Sequence, residues 1–194
     1  MERRKIINRK TKETEIELEL NLDGNGITEI ETPVAFLNHV LESFAKHGNF
    51  NLRVKASGDI AVDPHHLIED LGICLGQAIY KCTEDKRGIA RFGFMIMPMD
   101  EAEVTVSLDI GGRAYLWYNV DMMNEKIENM STNLIEDFFR ALVSNALINL
   151  HINKSVGINS HHIIEAVFKA FGIALKNATR ITGNNSIPST KGAI

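Results

Sequence analysis

Only two cysteines, four prolines and one tryptophan occur in this chain of 194 residues. Cys74 and Cys82 lie eight positions apart within one helical pattern, a separation that a disulfide does not bridge. A disulfide scaffold is therefore excluded, and both read as small buried thiols. The opening, Met1-Glu2-Arg3-Arg4-Lys5, leads into a strand-like segment and lacks the apolar core of a signal peptide. Reduced thiols without an export signal point to the cytoplasm. No apolar run reaches the roughly 18 residues of a spanning helix, so no membrane is expected. Basic residues are not in excess either. With 21 Lys and Arg against 25 Asp and Glu, the formal charge of −4 gives no electrostatic reason to expect nucleic acid. No linker or low-complexity run divides the chain. At 44% hydrophobic and 24% charged it is ordinarily globular, and its length allows one domain or two small units fused in one core.

What is present is patterned. From Thr14 to Leu22, Ile16, Leu18, Leu20 and Leu22 alternate with Glu15, Glu17, Glu19 and Asn21, the period of a half-buried strand. Ala102 to Ile110 alternates likewise, and 49–55, 92–97 and 149–154 also read as strands. Helical periods run over 33–47, 64–81, 133–147 and 160–180, the first opening on Pro33. Asp23-Gly24-Asn25-Gly26 and Gly111-Gly112 are predicted to be hairpin turns, because glycine tolerates positive φ.

A repeat organises these elements. A shift of 96 residues lays His65-His66-Leu67-Ile68-Glu69 on His161-His162-Ile163-Ile164-Glu165. Helix, strand and loop precede each motif in the same order. Phe36-Leu37-Asn38-His39 corresponds to Leu134-Ile135-Glu136-Asp137, and Glu13 falls on Glu101. The chain thus reads as one domain over 1–194 made of two related halves, about 1–87 and 88–194. Strands grouped before helices predict an α+β fold of two layers, a sheet carrying helices on one face. The halves either share one sheet or pack about a pseudo-twofold.

Helical geometry decides which motif residues can share an ion. Residues i and i+4 lie on one face, so His65 pairs with Glu69 and His161 with Glu165. His66 and His162 are rotated by about 100° and reach more easily for a second ion. Two such helices facing each other would build two sites, each completed by the adjacent His of the other. One motif alone is more often a surface or core polar cluster. Two copies at matching places in a repeat have no cheap packing explanation, so metal binding is expected. Imidazole mixed with carboxylate suits Mn, Fe or Zn and argues against Ca. His39 is the next ligand candidate, and Asp137 its counterpart if symmetry governs ligation. His47, before Gly48, either caps its helix or contacts substrate; His151 reads as a packing residue. Arg91, Arg113 and Ser189-Thr190-Lys191-Gly192 have the donors of an anion site, although each alone is more often a solvated surface group.

Arg9-Lys-Thr-Lys-Glu13-Thr14, Phe36-Leu-Asn-His39, His47-Gly48, Asp63-x-His-His-x-x-Glu-Asp70, Arg91-Phe-Gly, Pro98-Met-Asp-Glu-Ala102, Gly112-Arg113, the second His-His-Ile-Ile-Glu-Ala and Pro188-Ser-Thr-Lys-Gly192 follow one another in family order. Through them the chain resembles the imidazoleglycerol-phosphate dehydratases over residues 2–192. The resemblance implies a hydro-lyase of histidine biosynthesis with a duplicated ribosomal-protein-S5 domain-2-like fold. D-erythro-imidazole glycerol phosphate would lose water to give imidazole acetol phosphate, through an imidazolate bridging two metal ions. It also implies homo-oligomers, trimers assembled into 24-subunit shells, with two Mn2+ per active site and each site between subunits. One Mn2+ would take His39, His66, His161 and Glu165, the other His65, Glu69, His162 and residue 137. Arg91, Arg113, Ser189, Thr190 and Lys191 would hold the substrate, chiefly its phosphate, with Glu13, His39 and His47 also contacting it. Glu13 is the leading candidate for the proton-transferring base, and Glu101 a weaker one.

The chain departs from the family pattern at four places. Asp137 stands where one common type has His; a carboxylate is the harder donor but shorter. Asn38 stands where an Asp would orient the neighbouring imidazole. Gly111 replaces a usual Ser, and Ala114 a usual Pro.

Overall fold

The computed structural model describes residues 3–192; Met1 and Glu2, from the opening segment considered above, lie outside them. The first half runs β1 (Arg4–Lys10), β2 (Thr14–Asn21), β3 (Thr28–Glu31), α1 (Ala35–Gly48), β4 (Asn51–Gly58) and α2 (His65–Cys82). The second runs β5 (Phe92–Met99), β6 (Ala102–Asp109), β7 (Tyr115–Asn119), the short β8 (Lys126–Ile127) and β9 (Met130–Ser131), α3 (Leu134–Ala146), β10 (Asn149–Val156) and α4 (Ser160–Thr179).

The two four-stranded sheets have the same strand order, β1-β2-β4-β3 and β5-β6-β10-β7, and β8 pairs with β9 apart from them. Leu20 pairs with Leu52 and Leu108 with Leu150, so the repeat holds residue by residue in the sheets. Alternation produces this directly: Ile16, Leu18 and Leu20, like Val104 and Val106, are buried on the inner face. The glycine turns are a correction. β3 pairs with β4, and β7 with β10, in parallel, so neither turn closes a hairpin. Gly26 and Gly112 do take positive φ, 83° and 76°. The apolar β4 and β10 nevertheless take the places beside β2 and β6, leaving the short β3 and β7 to the far edges.

α1 and α2 cover the first sheet, α3 and α4 the second. α2 packs on α3 and α1 on α4. Each half is thus a two-layer unit, and the halves meet helix layer to helix layer about a pseudo-twofold, with two sheets, not one shared. A ring cluster closes the junction. Phe44 stacks on Phe171 at 5.3 Å, Phe139 meets Phe171 edge-on at 5.5 Å, and Phe138 lies 5.4 Å from Phe168. Such pairs add about 0.5–1.5 kcal/mol each beyond their buried area.

Both cysteines are free and buried in α2, and burial pushes their thiols up, to about 12 for Cys74 and about 11 for Cys82. Among the described residues no helix is long and apolar enough to cross a membrane. The outer sheet faces differ. That of the first sheet carries ion pairs, Arg4–Glu19, Lys10–Glu15 and Arg53–Glu29. That of the second exposes Phe92, Phe94, Ile96, Tyr115 and Trp117. His151 joins this outer face, its ring 5.6 Å from Tyr115. It is not a core packing residue, because Leu150 and Ile152 take the inward positions of β10.

Candidate metal centre

Each His-His-x-x-Glu motif begins a helix because an Asx residue starts it. Asp63 Oδ1 accepts the His65 amide at 2.7 Å, and Asn159 Oδ1 accepts the His161 amide at 3.0 Å. The histidines therefore occupy the exposed first turn, where their rings are free of the core.

His39 of α1 and His161 and Glu165 of α4 bring three ligand atoms within 4.8 Å of one another. His39 Nε2 is 3.1 Å, and His161 Nε2 3.3 Å, from the same Glu165 oxygen. Lys169 Nζ takes the other oxygen at 2.8 Å. The Phe36 ring, 4.9 Å from His161 and 6.2 Å from His39, forms an apolar wall beside them. Sequence reasoning did not single out Lys169, although its place one helical turn beyond Glu165 is the signal for it. Burial acts to raise the Glu165 carboxyl, but Lys169 and His39 outweigh it and hold it at about 2.

A depressed folded-state value makes this carboxylate a pH-dependent brace. Its contribution is fully present above the ordinary value of 4.5 and is lost as pH falls through about 2. Metal-free protein is expected to lose stability across that window, and Glu165→Gln to lose less. Urea melts above about pH 5 and near about pH 3 measure the difference. The same acid loss in variant and wild type would remove Glu165 as its source.

The pseudo-twofold repeats the cluster. His65 Nε2 lies 3.7 Å from Glu69 Oε2, and His65 Nδ1 lies 3.8 Å from Asp137 Oδ2. Asp137 on α3 stands where His39 stands on α1. This second group is looser: the Glu69 and Asp137 side chains are 48% and 41% exposed, against 9% for Glu165. Three of the four side chains expected for the first ion are thus gathered by one chain, whereas Glu69 and Asp137 approach opposite nitrogens of His65.

The fourth of each set lies elsewhere. His66 Nδ1 meets the Asp59 carboxylate at 3.1 and 3.2 Å, with Glu13 Oε2 at 3.9 Å. His162 Nδ1 meets Glu101 Oε2 at 2.7 Å. Hydrogen bonding to Asp59 raises the His66 pKa, and hydrogen bonding to Glu101 raises that of His162. Within one chain the motif helices do not face each other. The apolar faces decide helix contacts, and they place α2 on α3 and α4 on α1.

The two candidate bases differ in environment. Glu101 binds His162 with one oxygen and accepts the Asn159 and Ile158 amides with the other, at 2.8 and 3.3 Å. The His162 bond, then the Asn159 amide, hold its carboxyl at about 2. Glu13 is fixed through its backbone: its amide donates to Thr11 Oγ1 and its carbonyl accepts from Asp59, both at 3.0 Å. Buried Asp70 ties this region together. It accepts Arg9 Nη2 at 2.8 Å and Thr14 Oγ1 at 2.5 Å, pinning β1 and β2 to the first turns of α2. Sequence reasoning missed that network too, although an Asp within an apolar helix pattern is its signal.

Asn38 turns away from His39. It accepts from Thr32 Oγ1 at 2.7 Å and donates to the Thr32 carbonyl at 3.1 Å, bracing the start of α1. His47 is not the cap of α1. Asn49, in the left-handed region at φ 56°, closes the helix with its own amide. Partial desolvation and the nearby Lys169 ammonium hold His47 below the ordinary imidazole value.

Arg91, Arg113, Ser189, Thr190 and Lys191 do line one pocket. Arg91 forks onto Asp109, Nε to Oδ1 at 2.6 Å and Nη2 to Oδ2 at 3.0 Å, and donates Nη1 to the Pro188 carbonyl at 2.8 Å. It thereby fastens the tail over the pocket, while Arg113 and Lys191 are exposed. Gly93 lets β5 lie close against α4: a Cβ there would stand 1.9 Å from the Ala174 carbonyl. The Arg91 amide bonds the carbonyl of Ala178 at 2.8 Å, at the last turn of α4, whereas His161 lies in the first turn. At 1.5 Å per residue, roughly 25 Å separates them along the helix.

Residues 32–175 match the imidazoleglycerol-phosphate dehydratase family. The imidazoleglycerol-phosphate dehydratase of Thermodesulfovibrio yellowstonii is 55% identical over 192 residues, 99% of this chain and 100% of its own. That of Acetivibrio thermocellus is 50% identical over 195 residues, the full length of both. The crystal structure of the Staphylococcus aureus dehydratase superposes with a TM-score of 0.84 at 39% identity, over 92% of this chain and 99% of that one. The Pyrococcus furiosus enzyme, solved in complex with (S)-C348, gives 0.83 at 36% identity, over 97% and 100%.

Proposed function

Since the chain belongs to the imidazoleglycerol-phosphate dehydratase family and is a hydro-lyase of histidine biosynthesis, we propose that it converts D-erythro-imidazole glycerol phosphate to imidazole acetol phosphate and water through an imidazolate held between two Mn2+ ions. The carrying observation is the convergent group His39–His161–Glu165, echoed at the pseudo-twofold position by the looser Asp137, His65 and Glu69. Imidazole with carboxylate, converging to 4.8 Å in the first group, fits a first-row divalent ion. Such ions supply Lewis acidity at the ring nitrogens of the substrate and favour its imidazolate form.

The protein's own residues do the rest. Glu13 accepts the carbon-bound proton, because its carboxylate is not committed as that of Glu101 is. Arg113, Ser189, Thr190 and Lys191 hold the phosphate, with Arg91 offering its remaining N–H groups. His47 and His39 contact the substrate beside the first ligand group.

The working site is built from more than one copy. His66 and His162 complete the ligand sets of neighbouring copies, and the anion pocket, roughly 25 Å along α4 from His161, serves a neighbour's ions. Exposed Phe92, Phe94, Ile96, Tyr115 and Trp117 offer the apolar contact that such assembly needs, in trimers building a 24-subunit shell.

Co-assembly of two inactive variants tests function and sharing together. Arg113→Ala and His161→Ala are each expected to lack turnover of imidazole glycerol phosphate. Refolded as an equal mixture they should regain about a quarter of wild-type activity, the statistical share of sites with both intact parts. No recovery would place both residues in one chain's site. Release of inorganic phosphate by the wild type would indicate a hydrolase instead.

A further inference from the structure

The two histidines outside the ligand groups are each held by a carboxylate, and the two carboxylates do not come from equivalent positions. Asp59, just after β4, holds His66; Glu101, in the β5–β6 turn, holds His162. We propose that Asp59 and Glu101 are positioning residues that keep the proton of His66 and His162 on Nδ1 so that Nε2 is presented to metal, and that Asp59 thereby releases Glu13 for the reaction. The metal part rests on the function proposed above.

Both contacts are made to Nδ1. A carboxylate accepting there favours the Nδ1–H tautomer and leaves the Nε2 lone pair outward. Asp100 Oδ2, 3.8 Å from His162 Nε2, is beyond hydrogen-bond length.

The mismatch between halves comes from the loops. The register shift between Lys154 and Val156 puts Gly157 where Gly58 stands and Ile158 where Asp59 stands. Six residues lie between Gly58 and α2, but only Ile158 and Asn159 lie between Gly157 and α4, and neither is a carboxylate. Glu101 supplies it across the neighbouring turn and clamps the shortened loop by taking the Ile158 and Asn159 amides.

In the first half the counterpart of Glu101 is Glu13, and it stops 3.9 Å short of His66 Nδ1. Asp59 already fills that position. Its amide also donates to the Glu13 carbonyl at 3.0 Å, so one residue orients the histidine and fixes the backbone of the uncommitted carboxylate.

The test compares Glu101→Gln and Asp59→Asn in the full assembled protein. Mn2+ titration is expected to show affinity reduced by roughly 10- to 100-fold in each variant. Glu13→Gln should bind as the wild type does. Nitrogen-15 NMR of metal-free protein should show His162 or His66 moving toward the Nε2–H tautomer, which a general structural weakening would not produce. Unchanged tautomers, or wild-type affinity in both variants, would overturn the proposal, as would Glu101→Gln losing turnover with its full Mn2+ content. If the wild type itself binds no Mn2+, the metal reading falls, and the tautomers still decide what Asp59 and Glu101 do. If Glu101→Gln does not assemble, Asp59→Asn carries the test, since its carboxylate bonds His66 alone among the described residues.

Discussion

Turnover of imidazole glycerol phosphate is expected to fall to background when metal is stripped with a chelator, and to return when Mn2+ is added back. The reason lies in what the side chains alone can supply. In the proposed reaction the hydroxyl leaves the carbon beside the imidazole and the proton leaves the next carbon, with no carbonyl to take up the charge. The cation nearest the first ligand group, Lys169, is already paired with Glu165 at 2.8 Å. His39 and His161 converge on that same carboxylate. Binding should also be visible apart from activity. Ligation of the folded state at 100 times Kd adds about 2.7 kcal/mol of stability, a clear rise in Tm. Full activity in protein verified as metal-free would sink this reading.

Glu13→Gln is expected to lower kcat by roughly 10²- to 10⁴-fold, the usual worth of a positioned acid–base group. Metal content and Tm should stay at wild-type values, because the Glu13 side chain lies 3.9 Å from its nearest histidine nitrogen and its local fold rests on backbone bonds to Thr11 and Asp59. KM should change less than kcat if the loss falls on proton transfer alone. Kinetics with parallel metal analysis decides the matter. Near-wild-type turnover would rule Glu13 out as the base, and an equal fall in metal content would make it a ligand-supporting group instead.

Much of this site is legible in the order of residues. Two His-His-x-x-Glu motifs in register carry the ligand types and their division into i, i+4 pairs. The correspondence of 36–39 with 134–137 puts Asp137 opposite His39, and in the fold Asp137 stands beside His65 on α3 as His39 stands beside Glu165 on α1. The strand alternations at β2 and β6 mark the sheet faces. Pairing is what local pattern misjudges. Both glycine turns look like hairpins, because turn residues report local φ and not which strand will occupy the neighbouring place. Whether the motif helices meet within one chain or across copies is not legible either, because helical spacing reports one helix's surface and not its partner.

The repeat, the ligand chemistry and the family follow from sequence without help, since they depend on residue type and spacing along the chain. Which carboxylate serves which histidine is settled by the folded arrangement. Glu13 and Glu101 are equivalent in the repeat, yet Glu101 is bound to His162 and Glu13 is left short of His66. That difference comes from a shorter second loop, in which Ile158 stands where the first half has Asp59. The fold also brings the candidate ligands His39, His161 and Glu165 together within one chain while His66, His162 and the anion pocket lie apart. Those distances follow from which apolar helix faces pack together, a property of the whole core and not of any motif.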